Sequence, residues 1–229
     1  MDRNTIKHKT IWIAGGTGLV GRQLILRLCA QGHHVVSLLR RPSGMGGSRL
    51  SEFEIDFEDL VRHGASSLPV LPKPDVVIST LGTTLKTAGS KEAFYRVDHD
   101  YVFAFAKAGK ETNARQMITV SSVSANRNTS NFYLRVKGEV ESHLGGLGFA
   151  HLDIIRPGLL LGQRTESRPG ESFGATVLPL IAPLLPSRYR AIESNKVANA
   201  IAKIIQNERP EVGTTNIYHN TEILRLAAN

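Results

Sequence analysis

Tyr133 and Lys137 stand four residues apart in the run Tyr133-Leu134-Arg135-Val136-Lys137, a spacing that puts both on one face of a helix. An ammonium beside a phenol favours the phenolate and lowers a pKa that is about 10 in isolation. Such a pair is equipped to give a proton to a carbonyl oxygen while a hydride reaches the carbon. Ser121 and Ser122 follow the apolar run Met117–Val120 and offer hydroxyls to the same oxygen. By itself Tyr-x-x-x-Lys is common by chance, and a solvated helix face is its default meaning. The surroundings decide.

A second group of residues supplies those surroundings. Gly15-Gly16-Thr17-Gly18-Leu19-Val20-Gly21 comes directly after the apolar stretch Thr10–Ala14 and opens a helical pattern. In that setting Gly15 permits a tight turn, Gly18 lets the backbone approach a pyrophosphate, and Gly21 lets helix and strand pack closely. The start of the helix, with Thr17, Leu19 and Val20, presents free N–H groups and partial positive charge to phosphates. The choice between NAD and NADP is argued from an absence. NAD binders place an Asp or Glu at the end of the second strand to accept from the ribose 2′-hydroxyl. This chain has no acidic residue between Arg3 and Ser51, and its second strand runs into Arg40-Arg41. Guanidinium groups suit a 2′-phosphate that a carboxylate would repel. NADP(H) is therefore the expected cofactor.

Strands and helices must hold these residues in place. Thr10–Ala14, Val35–Leu39, Phe53–Phe57, Val76–Ile78, Met117–Val120 and Leu152–Ile155 read as strands. Helical spacing covers Leu19–Ala30, Ser90 to about Lys110, Phe132–Leu144 and Asn195–Ile205. Gly32 supplies the stop of the first helix. The alternation predicts an α/β fold, a Rossmann-like doubly wound parallel sheet. The expected organisation is a single domain over residues 1–229, with residues 157–190 forming a smaller cap on the substrate side. Ligands in such sheets bind beyond the carboxyl ends of the strands.

Bulk properties narrow the classes. The 229 residues, 41% hydrophobic, suffice for a substantial core. The formal net charge is +8, but the basic residues are dispersed, so nucleic acid is not expected as a partner. No apolar stretch reaches the roughly 20 residues of a membrane span; Phe173–Pro186 is broken by Pro179, Pro183 and Pro186. Cys29 is the sole cysteine, which suits a reducing compartment. With a polar N-terminal stretch, it leads to the expectation of a cytoplasmic protein. No metal is expected, and the oligomeric state is open.

Several segments resemble the atypical short-chain dehydrogenases/reductases, in particular the Tat-interactive oxidoreductase family, the CC3-like proteins and their microbial relatives. They are Leu81-Gly82-Thr83-Thr84, Phe94 to Tyr101, Tyr133 to Glu141, Arg156-Pro157-Gly158 and Glu166 to Glu171. The likeness runs from about Ile11 to Arg190. It implies an NADPH-binding Rossmann domain in which Tyr133 and Lys137 match the active-site pair. It also implies that Asp56 meets the adenine, that Leu81-Gly82-Thr83 lines the cofactor, and that Pro157 passes near the nicotinamide. Ser121, Ser122 and Ser124 all fall near the expected serine, and Ser122 is preferred. Glu166–Glu171 reads as a turn with paired charges, serving either structure or substrate binding. Animal members carry an additional N-terminal helix associated with protein partners, whereas the stretch before Thr10 is short here. Partner-binding and kinase-like roles are therefore not expected to carry over, and no Walker-type phosphate loop is present. The resulting expectation is an NADPH-dependent reductase of a small carbonyl compound, with Tyr133 as proton donor. The alternative is a non-enzymatic NADPH sensor that controls association with a protein.

Overall fold

The computed structural model describes residues 8–161, 186–207, 209 and 213–228. Glu166–Glu171 and most of the expected cap lie outside the described residues. Seven parallel strands form the central sheet in the order β3-β2-β1-β4-β5-β6-β9. They are β1 (Thr10–Ala14), β2 (His34–Leu39), β3 (Leu50–Glu54), β4 (Val76–Ser79), β5 (Gln116–Val120), β6 (His151–Arg156) and β9 (Thr214–His219). A short parallel pair, β7 (Leu160–Leu161) with β8 (Ile192–Glu193), lies apart from it.

The central strands read as continuous apolar runs because both faces of the sheet are covered. On one face, Ile11, Ile13, Val35 and Ile78 pack with α1 (Leu19–Ala30) and α7 (Ser194–Gln206). On the other, Trp12, Val36, Leu38 and Met117 pack with α2 (Phe57–His63), α5 (Tyr101–Glu111) and α6 (Phe132–Gly145). Trp12 is fully buried and its Nε1 donates to the Pro72 carbonyl at 2.9 Å, so its one polar atom is satisfied. The strand order reverses between β1 and β4. The glycine turn follows β1 at this switch point, where doubly wound sheets bind ligands.

Three expectations need correction. The third strand lies earlier than expected, at Leu50–Glu54, and Phe57 begins α2. The alternation of Phe53, Ile55 and Phe57 continues past the last paired residue, but the Asp56 side chain accepts the Glu58 N–H at 2.7 Å and caps the helix. The long helix after Ser90 is interrupted. α4 (Lys91–Tyr95) leads into a π-helical turn, Arg96–Asp100, before α5. Asp98 and His99, within that turn, are both buried. Finally, β9 was not anticipated, nor were α3 (Leu85–Ala88) and the terminal α8 (Asn220–Ala228). Thr214–His219 alternates half-buried and exposed positions on a sheet edge, a weaker signal than the apolar central strands.

Asn220 joins the far end of the fold. Fully buried, it accepts the Gly158 N–H at 3.0 Å and donates to the Ser187 and Arg190 carbonyls at 3.0 Å. With the β7–β8 pairing, it brings together the two chain ends that flank residues 162–185.

Candidate functional site

Gly15 has φ +90, and a side chain there would place Cβ 2.6 Å from the Thr80 carbonyl carbon. Only glycine fits. The Gly18 N–H donates to Gly15 O at 3.0 Å, and Thr80 Oγ1 donates to the same oxygen at 2.9 Å. A Cβ at Gly21 would overlap Gly15 O and lie 2.7 Å from Thr80 Oγ1. Among the described residues, a Cβ at Gly18 would meet only Gly15 O, at 3.3 Å, which leaves room on the outer side of the turn. No acidic residue occupies the first turn of α1, which leaves its partial positive charge uncompensated. Thr17 is exposed, whereas the Val20 side chain packs in the core, so only the Val20 backbone can meet a ligand. The arrangement fits a pyrophosphate.

Arg40 and Arg41 follow β2, and both are exposed. Glu52, on β3, reaches the loop beyond them, a contact that sequence reasoning missed. Its Oε2 accepts the Ser43 N–H at 3.2 Å and its Oε1 accepts the Ser43 hydroxyl. Both carboxylate oxygens are thus committed to shaping the loop. Asp56 spends one oxygen on capping α2. Beneath, Tyr101 donates to Glu58 at 2.7 Å and Arg96 bridges Glu58 and Asp100. Burial, then the Glu58 carboxylate, push the Tyr101 phenol up to about 12.

The Tyr133 and Lys137 pair sits on α6, whose first turn is capped by Asn131 accepting the Leu134 N–H at 3.1 Å. Tyr133 is half-buried, its ring 5.7 Å from that of Phe94. Lys137 is buried and its Nζ lies 2.8 Å from Asp98 Oδ1. The other oxygen of Asp98 accepts the Thr83 N–H at 2.8 Å. Burial alone would push the Lys137 ammonium down, but the Asp98 charge, with Tyr133 and Glu141 adding, carries it above its ordinary value. A Cβ on Gly82 would lie 3.8 Å from Lys137 Nζ. The structure therefore brings Lys137 against the Leu81-Gly82-Thr83 loop.

The three serines separate by environment. Ser121 is buried and its hydroxyl donates to Glu141 Oε1 at 2.5 Å. Glu141 is also paired with Arg156 through Nε at 3.0 Å and through Nη2. Ser121 is a structural tie. Ser124, at φ +63, contacts the Tyr189 hydroxyl at 3.2 Å. Ser122 is half-buried, and among the described residues its hydroxyl makes a 3.3 Å bond to its neighbour's carbonyl. Pro157 is buried and its carbonyl accepts the Val123 N–H at 3.0 Å. Beyond this loop lies a cavity of about 490 Å³ lined by Val123, Ser124, Arg156, Arg188, His219 and Glu222.

Asp98 and Glu141 were both missed, although each carried a signal. Asp98 is an acid at i+4 from the core residue Phe94, and Glu141 stands four residues beyond Lys137 on the same helical stripe.

A glycine turn at the switch point, an open helix N-terminus and an all-parallel sheet define a dinucleotide-binding α/β protein of the Rossmann type. A family model described as NAD(P)H-binding matches residues 15–208, and the chain belongs to that family. Rat protein HTATIP2 is 30% identical over 96% of this chain and 90% of its own length. The mitochondrial protein FMP52 of Meyerozyma guilliermondii is 35% identical over 94% of each chain. Among solved structures, a short-chain dehydrogenase/reductase family oxidoreductase from Burkholderia thailandensis matches with TM-score 0.68 and 20% identity, covering 94% of this chain and 93% of that one. A human epimerase family protein solved with NADPH matches with TM-score 0.59 and 15% identity, covering 93% and 77%. Among the described residues, no helix is long and apolar enough to cross a membrane. The FMP52 relatives are named mitochondrial, which leaves the cytoplasmic expectation unsupported by them.

Proposed function

We propose that this protein is an NADPH-dependent reductase of a small carbonyl compound. The observation that carries the reading is the placement of Lys137, four residues after Tyr133, against the Gly82 loop. It sets one member of the spaced pair beside the loop that this reading assigns to the cofactor. NADPH, when bound, supplies the hydride. The turn at Gly15–Gly21 and the first N–H groups of α1 hold the pyrophosphate, and Arg40 and Arg41 meet the 2′-phosphate. Asp56 faces the adenine, Leu81–Thr83 line the cofactor, and Pro157 borders the nicotinamide. Tyr133 gives its phenolic proton to the substrate oxygen, which Ser122 orients. Lys137 holds the ribose.

The test is NADPH oxidation across a panel of small aldehydes and ketones, with Tyr133→Phe as the comparison. The reading expects turnover on some members and a loss on the order of a hundredfold or more in the variant. Absence of any turnover that depends on Tyr133 would overturn it. For location we keep the cytoplasm, on the strength of the single Cys29; fractionation of the protein with mitochondria would replace that proposal.

A further inference from the structure

The carboxylate of Asp98 is almost inaccessible and serves two partners on different elements. Oδ1 pairs with Lys137 Nζ of α6 at 2.8 Å, and Oδ2 accepts the Thr83 N–H from the loop after β4 at 2.8 Å. Asp98 sits in the π-helical turn Arg96–Asp100, four residues after the buried Phe94. Gly82 keeps the approach to the pair open. A side chain there would bring Cβ to 3.5 Å from Asp98 Oδ1 and 3.8 Å from Lys137 Nζ.

We propose that Asp98 is a positioning residue, whose one carboxylate fixes the Lys137 ammonium against the Leu81–Thr83 loop so that both parts of the site move as one unit. The inference rests on the reading of Lys137 and that loop as cofactor contacts. The charges around Lys137 support it. Tyr133 and Glu141 flank Lys137 on its own helix, one turn to either side. Glu141 is itself neutralised by Arg156 of β6. His99, next to Asp98, turns instead to Asp100 and His143. Asp98 is therefore the nearest charge that keeps a fully buried ammonium protonated, and a buried lysine without such a partner gives up its proton. Lys137 also has three donors, so holding Asp98 leaves others for a ribose hydroxyl.

The test compares the wild type with Asp98→Asn, which keeps the shape and loses the charge. NADPH affinity is titrated by fluorescence from about pH 6 to about pH 10, below and up to the ordinary lysine pKa. In parallel, the Lys137 ammonium is followed by NMR on lysine-labelled protein without NADPH. In the wild type, affinity stays level over this range. In Asp98→Asn, Lys137 loses its proton earlier, and NADPH affinity then falls on the order of tenfold per pH unit, as loss of one bound proton requires. A purely structural Asp98 would weaken binding equally at every pH. If the two affinity curves run parallel and Lys137 titrates alike in both proteins, the proposal is wrong. An NMR shift without NADPH binding by either protein would instead sink the cofactor reading and leave the hold of Asp98 on Lys137 standing. Should Asp98→Asn fail to fold, the neutral pair Asp98→Asn with Lys137→Met must fold and bind NADPH weakly with no pH dependence. A pH-dependent affinity in that pair would overturn the inference.

Discussion

Glu141 of α6 ties Ser121, just after β5, to Arg156 of β6, and its replacement by glutamine tests whether that tie holds the carboxyl end of the sheet together. The carboxylate accepts from Ser121 Oγ and from Nε and Nη2 of Arg156. Both charged groups are largely out of water, with side-chain exposures of 6% for Glu141 and 18% for Arg156. Removing one partner of a buried pair costs about 3–5 kcal/mol, because the other charge is left uncompensated. Glutamine keeps one carbonyl acceptor, and Arg156 retains some solvent, so the expected loss for Glu141→Gln is about 2–4 kcal/mol. Urea unfolding measures it as a lowered midpoint at unchanged slope. The neutral pair Glu141→Leu with Arg156→Met should recover most of the loss, since neither charge is then stranded. A single-variant loss below about 1 kcal/mol, or a double variant that merely sums the two singles, would refute the reasoning.

Two more outcomes follow from the same contacts. Gly21→Ala forces a methyl into Gly15 O and Thr80 Oγ1; NADPH binding by calorimetry should fall by at least about tenfold, roughly 1.4 kcal/mol, and unchanged affinity would show that the turn is not the phosphate cradle. His33 and His151 are held below their ordinary value of 6.5, in each case first by burial and next by a nearby cation, Lys9 or Arg209. Their unfolded forms take up protons first, so stability should decline as the pH falls through about 6.5. Thermal unfolding against pH checks this, and a melting temperature that does not fall between neutral pH and about pH 5.5 would contradict it.

Most of the fold was legible because its signals are local. The apolar runs at Thr10–Ala14 and Val76–Ile78 have the length of strands covered on both faces, and the glycine turn announces itself by order along the chain. What escaped notice depends on geometry that spacing does not carry. The π-helical turn at Arg96–Asp100 changes which residues face inward without any proline or glycine to mark it. The tie between Glu52 and Ser43 joins β3 to the loop after β2, and Asp56 fits the pattern of a strand as well as that of the helix cap it forms through Glu58. At the site, the pair Tyr133 and Lys137 was readable from helical spacing, but its pairing with Asp98 was not. Among the serines, only burial and partners separate Ser121, tied to Glu141, from Ser122.

Equilibrium dissociation constants for NADPH and NADH, measured on the wild type and on Arg40→Ala with Arg41→Ala, test the central claim most directly. The account predicts that the wild type prefers NADPH by at least about tenfold, and that the double variant loses this preference while its NADH affinity stays nearly unchanged. Equal affinity for the two cofactors in the wild type, or a preference that survives removal of both arginines, would contradict it.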